Sequence, residues 1–311
     1  MLNQHDESSR TAQRGARRSA QAAQGYGLAT PYLLLLPAIV VYACFMLFPL
    51  GRAVQLSLYD WNGLTVGVWA GFDNYLRLAT DGELRAAFGH ALVLIVFYCV
   101  IPIVLGLIIA AILNRAKVKG LGFFRTIYFL PQVIALVVAA TAWRSIWGLD
   151  GSLNAVLKAI GLGGLAQDWL GSYTLALPAV GVIGTWLEIG LVMVLLLAGM
   201  GRIPHELYEA ARLDGAGAVR EFFSVTLPSV RGEIAVAATL TIVAALKNFD
   251  LVYMTTHGGP GGTTSVPSYE VYNQAFMVKQ VGLASAIGVT LTLLIFIINL
   301  IVNRVADKVT S

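Results

Sequence analysis

The sequence predicts an all-α integral membrane protein in which six helices form a transmembrane bundle. Three observations lead to this fold class. The 311 residues are 57% hydrophobic and only 12% charged, several long runs carry no charge, and Lys and Arg gather on one side of the predicted membrane. Soluble domains carry about 25% charged residues. The composition therefore excludes a soluble enzyme, a disordered chain and a nucleic-acid-binding module.

Six apolar runs define the predicted helices. A bilayer core of about 30 Å takes about 20 residues of helix. Suitable runs lie at residues 31–51, 91–113, 126–143, 173–201 (interrupted only by Glu188) and 280–303. The run at 234–246 has 13 residues, and we extend it with the following FDLVYM segment. The expected helices cover approximately residues 31–52, 91–114, 126–147, 174–200, 233–255 and 281–303.

Positive charge predicts the orientation. Of the 21 Lys and Arg residues, 14 lie in four segments. These are the N-terminal tail (1–30), the loops after the second and fourth helices, and the C-terminal end with the tail 306–311. The positive-inside rule places both termini and these loops in the cytoplasm of a bacterial-type plasma (inner) membrane. The tail has no cleavage signal, and its residues 1–25 contain no aromatic or base-reading partners for the arginines. We therefore expect an uncleaved first helix and no nucleic-acid partner.

Cysteine and histidine offer no catalytic or metal site. Cys44 and Cys99 fall within predicted spans, where they fit as small packing hydrophobes. The four histidines are scattered along the chain without the spacing of metal ligands. The sequence thus predicts no metal and no catalytic residue, and a membrane enzyme is a weak alternative.

The cytoplasmic loop between the fourth and fifth helices, residues 201–232, is too long for a simple connector, which typically has 2–8 residues. Pro204 suits the first turn of a helix, and Gly215 suits its left-handed end. A second short helix is expected from Ala216 to about Thr226, ended by Pro228. Such a helix pair either docks a partner protein or lies as an amphipathic hairpin on the membrane.

This loop resembles the EAA loop of ABC-importer permeases. Glu209-Ala210-Ala211 is followed after three residues by Gly215, after nine more by Val225, and after one more by Leu227-Pro228. The family pattern has the same spacing, with Ile in place of Val225.

The resemblance implies a coupling helix that sits in a cleft of a separate ATPase subunit. In that arrangement Glu209 bonds the ATPase, Ala210 and Ala211 allow close contact, and Gly215 makes the bend. Asp214, Leu227 and Pro228 complete the implied coupling residues.

Other stretches are similar to those of carbohydrate-importer permeases. They are SLYDW (57–61), GFDNY (71–75), FFRT (123–126) with FLP (129–131), GSLN (151–154), LAG (197–199) before IP (203–204), and FDLVY (249–253) before GGP (258–260). The resemblance implies a type I ABC-importer permease, the larger-loop member of the two in a sugar or glycerol-phosphate importer. One departure is His90-Ala91, where such permeases often carry Asn-Thr.

Partners and cofactors follow from the same resemblance. It implies a second permease subunit in a heterodimer, two cytoplasmic ATPase subunits and an extracytoplasmic solute-binding protein, all within membrane lipid. The chain has no G-x-x-x-x-G-K-[ST] phosphate loop. We therefore expect no enzyme activity and no cofactor on this chain, with ATP and Mg bound by the partner ATPase subunits.

Polar residues inside the fourth and fifth predicted helices mark a candidate solute pathway, because ionisable groups within a span usually face a wet cavity. They are Trp186, Glu188, Asn248, Asp250 and Tyr253, with Lys247 beside them. Aromatic rings stack on sugars, and carboxylates and amides bond their hydroxyls. Two simpler interpretations remain: Lys247 pairs with Asp250 along one helix, and Glu188 pairs with the partner permease.

The alternative from another class is an ion-coupled secondary transporter that uses Glu188, Lys247 and Asp250 as a relay. Such transporters often contain internal repeats, but the two halves of this chain show no duplication. The long cytoplasmic loop would also have no role. Uptake that needs ATP and persists after the ion gradient collapses would distinguish the importer.

Overall fold

The computed structural model describes the backbone of residues 30–115 and 120–310 and the side chains of residues 32–115 and 120–306. Residue contacts divide the chain into two units, Met1–Gln55 and Leu56–Ser311. Most of the predicted N-terminal tail, with its arginines, lies outside the described residues, as do Lys117 and Lys119.

The described part of the first unit lies in one long helix. Helix α1 (Thr30–Tyr42) continues through a π-helical turn (Ala43–Leu47) into α2 (Phe48–Leu56). None of the side chains at residues 32–55 is buried. A helix that is apolar on all sides is suited to lipid or to another protein chain.

The second unit begins with a small hairpin and a short helix. Strands β1 (Tyr59–Asp60) and β2 (Val68–Trp69) pair antiparallel, and α3 (Asp73–Thr80) follows. Asn74 is buried and donates to the Ser57 and Tyr59 carbonyls, at 2.9 Å each. The family-like stretches 57–61 and 71–75 therefore hold the hairpin against α3.

The second predicted span is longer than expected. Helix α4 (Gly82–Ile95), a π-helical turn (Val96–Val100) and α5 (Ile101–Arg115) form one helix of 34 residues. It starts nine residues before the predicted residue 91, because the Asp81 side chain caps it by accepting from the Glu83 and Leu84 amides. Hydropathy alone does not register this polar first turn.

The third predicted helix, 126–147, is divided in the structure. Helix α6 (Leu121–Val133) and α7 (Leu136–Trp147) meet at a bend of 95°. Ile134 and Ala135 between them have extended backbone angles, which a helix cannot contain. Helix α8 (Ser152–Ala159) follows α7.

The fourth span is the centre of the second unit. Helix α9 (Ala176–Met200) packs most extensively against α5 and α6. Most of its residues are buried, among them Ile183, Met193 and Leu196. Its bounds agree with the predicted 174–200 within two residues.

The loop between the fourth and fifth spans contains α10 (His205–Leu213), α11 (Ala218–Glu221), a π-helical turn (Phe222–Thr226) and α12 (Leu227–Ser229). The predicted end at Pro228 is wrong by one residue. Pro228 lies in the first turn of α12, where its missing amide costs nothing. The helix breaks instead at Val230.

The fifth predicted helix, 233–255, is also interrupted. Helix α13 (Arg231–Leu246) ends before the cluster of polar residues, and α14 (Asp250–Thr255) begins within it. Helix α15 (Pro267–Tyr272) and a π-helical turn (Asn273–Met277) lead to α16 (Val281–Thr310), which continues through the predicted C-terminal tail.

Four helices of the described residues are long and apolar enough to cross a membrane, namely Tyr32–Leu56, Gly82–Arg115, Ala176–Met200 and Val281–Ala306. Two bent pairs raise the number to six if each pair is one span. One pair is α6 with the helical segment Leu136–Ala159, and the other is Ala218–Ser229 with α13, bent by 68°.

Candidate functional site

A cavity of about 450 Å³ lies where the two interrupted helices meet α9. Its lining comes from α4–α5, α6–α7, α9 and α13–α14: Tyr98, Gln132, Ile134, Leu136, Leu187, Glu188, Leu240, Val243, Ala244, Lys247, Asn248, Phe249 and Asp250. Both helix breaks contribute to this wall. Interrupted helices expose polar backbone, which a membrane tolerates only where protein or a wet cavity covers it.

Glu188 occupies the middle of α9, as the thirteenth of its 25 residues. Its side chain lines the cavity, and the residue is only 7% exposed. No described cation lies within 4 Å of its carboxylate. A carboxyl group so placed is available to a ligand or to another subunit.

Asn248 is the second buried polar residue of the cavity, at 8% exposed. Its backbone carbonyl accepts a hydrogen bond from Ser268 Oγ at 2.9 Å. Its amide nitrogen Nδ2 is buried and has no hydrogen-bond partner among the described residues. An unsatisfied buried donor costs about 1–3 kcal/mol, so this amide favours a ligand or water that accepts from it.

Lys247 and Asp250 line the same cavity but do not belong to one helix. Lys247 follows the last residue of α13, and Asp250 is the first residue of α14. Within the described residues, no ion pair joins them. The interpretation that they pair along a helix is therefore wrong, because the helix is broken between them.

Trp186 and Tyr253 do not line this cavity. The Trp186 ring meets Trp143 edge-on, with centroids 5.6 Å apart. Tyr253 stacks on Phe249 at 5.2 Å and contacts Tyr272 at the same distance. Both predicted pathway aromatics are thus members of aromatic clusters next to the cavity.

Tyr98 and Gln132 also line the cavity, although no sequence pattern indicates them. Tyr98 lies in the π-helical turn of the second span and packs on α9 at Gly184. A Cβ at Gly184 would lie 2.0 Å from the Tyr98 ring, so only glycine allows this contact. Gln132 directly follows the FLP stretch. That stretch points to the cavity only once the break of the helix after Val133 is known.

The first of the predicted coupling residues lie on an exposed helix. Glu209, Ala210 and Ala211 lie in α10, and Asp214 ends it. Gly215 has a φ of +76°, the left-handed angle that the sequence predicts there. The Ala216 amide bonds the Ala211 carbonyl at 2.9 Å and closes the turn.

Two side-chain contacts hold α10 to the segment that follows. Arg212 Nε donates to the buried Glu221 carboxylate at 3.1 Å, and the Tyr208 and Thr226 hydroxyls are 3.2 Å apart. The hydrogen bond with Glu221 raises the pKa of the Arg212 guanidinium above its ordinary value. These contacts make α10–α12, the docking loop, a compact unit.

The docking loop displays large apolar side chains among its exposed charged ones. Leu213 is 89% exposed and Val219 is 72% exposed, whereas Leu227 and Pro228 are half-buried. An ordered loop that displays large apolar side chains is typical of a protein interface.

The GSLN stretch has a structural role in the segment that follows α7. Asn154 is fully buried and its amide donates to three carbonyls, at Gly148, Leu149 and Gln167. Its oxygen accepts from Trp169 Nε1 at 2.9 Å.

His90, the departure from the family pattern, makes a 2.9 Å contact with the Ser265 carbonyl through Nδ1.

No cluster of three or more His, Cys, Asp or Glu residues suited to a metal occurs in the part of the chain that the structure describes.

Comparison with known proteins gives a consistent result. The family model "Binding-protein-dependent transport system inner membrane component" matches residues 13–311. The probable ABC transporter permease protein YurN of Bacillus subtilis is 38% identical over 277 residues, covering 87% of this chain and 93% of that protein. The multiple sugar-binding transport system permease protein MsmF of Streptococcus mutans is 34% identical over 278 residues, covering 89% and 95%.

A solved structure also matches. The crystal structure of a bacterial alginate ABC transporter, in complex with an alginate pentasaccharide-bound periplasmic protein, aligns with a TM-score of 0.74 at 24% identity. The alignment covers 90% of this chain and 94% of that one. The predicted all-α transmembrane fold is thereby confirmed.

Proposed function

The chain belongs to the binding-protein-dependent transport family of inner membrane components, the ABC transporter permeases, and from this membership we propose that it forms half of an import pathway for a carbohydrate or related polyol. The observation that carries the proposal is the cavity between the interrupted helices. Its lining combines the Glu188 carboxyl, the Asn248 amide and the Tyr98 ring. Hydroxyl-rich solutes are bound by such groups.

The relatives favour an importer over an ion-coupled transporter. MsmF is named for multiple sugar-binding transport, and the matched solved structure is an alginate transporter. In this proposal Glu188, Lys247 and Asp250 orient solute and do not relay protons. Asn248, with its free amide, bonds a solute hydroxyl directly.

The docking loop supplies the coupling in this proposal. Its coupling residues are Glu209, Ala210, Ala211, Asp214, Gly215, Leu227 and Pro228. A cytoplasmic ATPase subunit receives α10 in a cleft, and hydrolysis of ATP with Mg takes place on that subunit. The exposed charge of Glu209 and the apolar side chain of Leu213 support such a contact.

The rest of the assembly completes the cycle. A second permease forms the other half of the pathway, and a solute-binding protein delivers the solute on the outer side. Both termini and the docking loop lie in the cytoplasm. Two ATPase subunits close on ATP, displace both docking loops and turn the cavity outward.

Transport by the assembled importer tests this function. The ligand is first identified by thermal-shift screening of the cognate binding protein against sugars, polyols and glycerol phosphates. Uptake of that ligand into proteoliposomes is then measured with ATP inside, with and without ionophores. We expect uptake that needs ATP and continues with ionophores. Uptake that stops with ionophores would support the ion-coupled alternative instead.

A further inference from the structure

An ordered apolar patch stands on the loop between the first two spans. We define the apolar patch as Leu64, Val66, Val68, Trp69 and Phe72, which are 79%, 92%, 69%, 62% and 76% exposed. The loop from residue 62 to residue 72 contains no charged residue. Large exposed apolar patches on an ordered surface mark contacts with lipid or protein.

The loop is held in one conformation by its own polar groups. Asn62 Oδ1 accepts from the Leu64 and Thr65 amides at 3.0 and 2.9 Å. Trp61 Nε1 donates to the Thr65 carbonyl at 2.7 Å. The apolar side chains are therefore displayed at fixed positions and do not fold back on the protein.

The position of the loop along the membrane normal follows from its contact with the last span. The Gly282 amide donates to the Trp61 carbonyl at 3.1 Å, and a Cβ at Gly282 would collide with the Tyr59 carbonyl. Both contacts are with the first turn of the span Val281–Ala306. That span has 26 residues, about 39 Å of helix, which exceeds a hydrocarbon core of about 30 Å. Its first turn therefore lies at headgroup level.

A groove beside the loop has matching chemistry. It has a volume of about 220 Å³ and is lined by Tyr75, Leu78, Ala79, Arg85, Phe88 and Thr290. Arg85 is the one charged residue of this lining, and it is exposed. Apolar walls beside a single guanidinium suit an acyl chain and the phosphate of a phospholipid.

We propose that the apolar patch inserts into the outer-leaflet interface of the bilayer and that the Arg85 groove holds a phospholipid. Uncharged aliphatic and aromatic side chains at headgroup level have the composition of a membrane-interface anchor. A water-soluble partner is the less favoured occupant, because the patch stands at the level of the bilayer surface. The inference rests on the membrane-spanning part of the proposed function and not on the solute.

Spin-label accessibility tests this proposal in the assembled importer. Cys44 and Cys99 are replaced by Ser and Ala, and a nitroxide is attached at Val66→Cys or Phe72→Cys in proteoliposomes. Lys158→Cys, an exposed position on α8, is the aqueous reference. We expect the ratio of oxygen collisions to collisions with a water-soluble nickel chelate to be severalfold higher at residues 66 and 72 than at residue 158. This comparison is made without the binding protein.

Two results would overturn the proposal. Nickel accessibility at 66 and 72 equal to that at 158 would place the patch in water. Protection that appears only when the solute-binding protein is added would make the patch a protein docking surface. Neither result depends on solute uptake, so a failure of the transport proposal is recognised separately.

A second measurement does not require labelling. Fluorescence of the importer in brominated phospholipid is compared with that of Trp69→Phe, which keeps the ring contact with Tyr59. We expect the wild type to lose more emission on bromination than the variant, because Trp69 is the tryptophan of the patch. Equal losses would contradict insertion.

Discussion

Asn248 is buried in the cavity wall with an amide that no described residue satisfies. We expect Asn248→Ala to raise the KM for uptake about 2- to 10-fold, because a hydrogen bond is worth about 0.5–1.5 kcal/mol. ATP hydrolysis stimulated by the binding protein remains, since the docking loop is unchanged. Uptake kinetics and hydrolysis are measured on the same proteoliposomes.

Asn299→Ala is the matched control for this variant. Asn299 is a half-buried asparagine of α16 that donates to the Ile295 carbonyl at 2.9 Å and does not line the cavity. An equal rise in KM for the two variants would show that the cavity is not the solute site.

Gly215 makes the turn of the docking loop with a left-handed backbone. We expect Gly215→Ala to weaken ATPase attachment and lower uptake, because alanine pays about 1–2 kcal/mol for this conformation. Gly217 is the control. It has a φ of −73° and open space for a Cβ, so Gly217→Ala leaves both quantities unchanged. ATPase retention on the purified permease is measured, and equal retention in both variants would contradict the coupling assignment.

Gly215 and Asn248 can both be identified from the sequence, whereas Tyr98 cannot. The turn at Gly215 is predictable because a glycine after Asp214 acts through its own backbone angles. Asn248 was also identifiable, as a polar residue inside an apolar run. Tyr98 was not, because its place in the cavity depends on Gly184 of another helix, 86 positions away, and no local pattern records that contact.

The ion pair between Arg212 of α10 and Glu221 of α11 joins the two helices. In the proposed coupling it transmits force from one helix to the other. Glu221 is 6% exposed in its side chain and Arg212 is 56% exposed. We expect Arg212→Ala to raise the ATP consumed per solute imported severalfold, because the buried carboxylate loses its partner. The reversed pair Arg212→Glu with Glu221→Arg restores part of the coupling. Transport and hydrolysis are measured together.

Arg220→Ala is the control for the ion pair, since Arg220 is exposed in the same loop and has no described ion-pair partner. If Arg220→Ala uncouples transport as strongly as Arg212→Ala does, the effect is one of loop charge and not of this contact.

Helix interruptions are the elements that the sequence did not predict. Hydropathy adds the contributions of all residues in a window. The predicted spans 126–147 and 233–255 therefore join α6 to α7 and α13 to α14. Hydropathy cannot detect two extended residues at 134–135 or the three-residue break at 247–249. These interruptions form the cavity, which explains why its lining was predicted only in part.

The orientation of the whole chain is open to a direct labelling test. In a chain without Cys44 and Cys99, we expect Lys158→Cys to react with an impermeant maleimide added to intact cells. We expect Arg304→Cys, near the C-terminal end of α16, to react only after permeabilisation. Both side chains are exposed on the protein. Their reaction therefore depends on whether the maleimide reaches their side of the membrane. The reverse pattern would contradict the positive-inside assignment.

In the proposed coupling, the single-residue break at Val230 would act as the hinge of a lever. Val230 is fully buried, and it alone separates the docking loop from α13. Helix α13 has 16 residues and so forms a stiff arm of about 24 Å that ends at the cavity wall. A pivot of about 10° at Val230 would carry the far end through about 4 Å, close to the width of a sugar ring. In that proposal, a small rotation of the docking loop would produce a displacement of solute size at the far end of the arm.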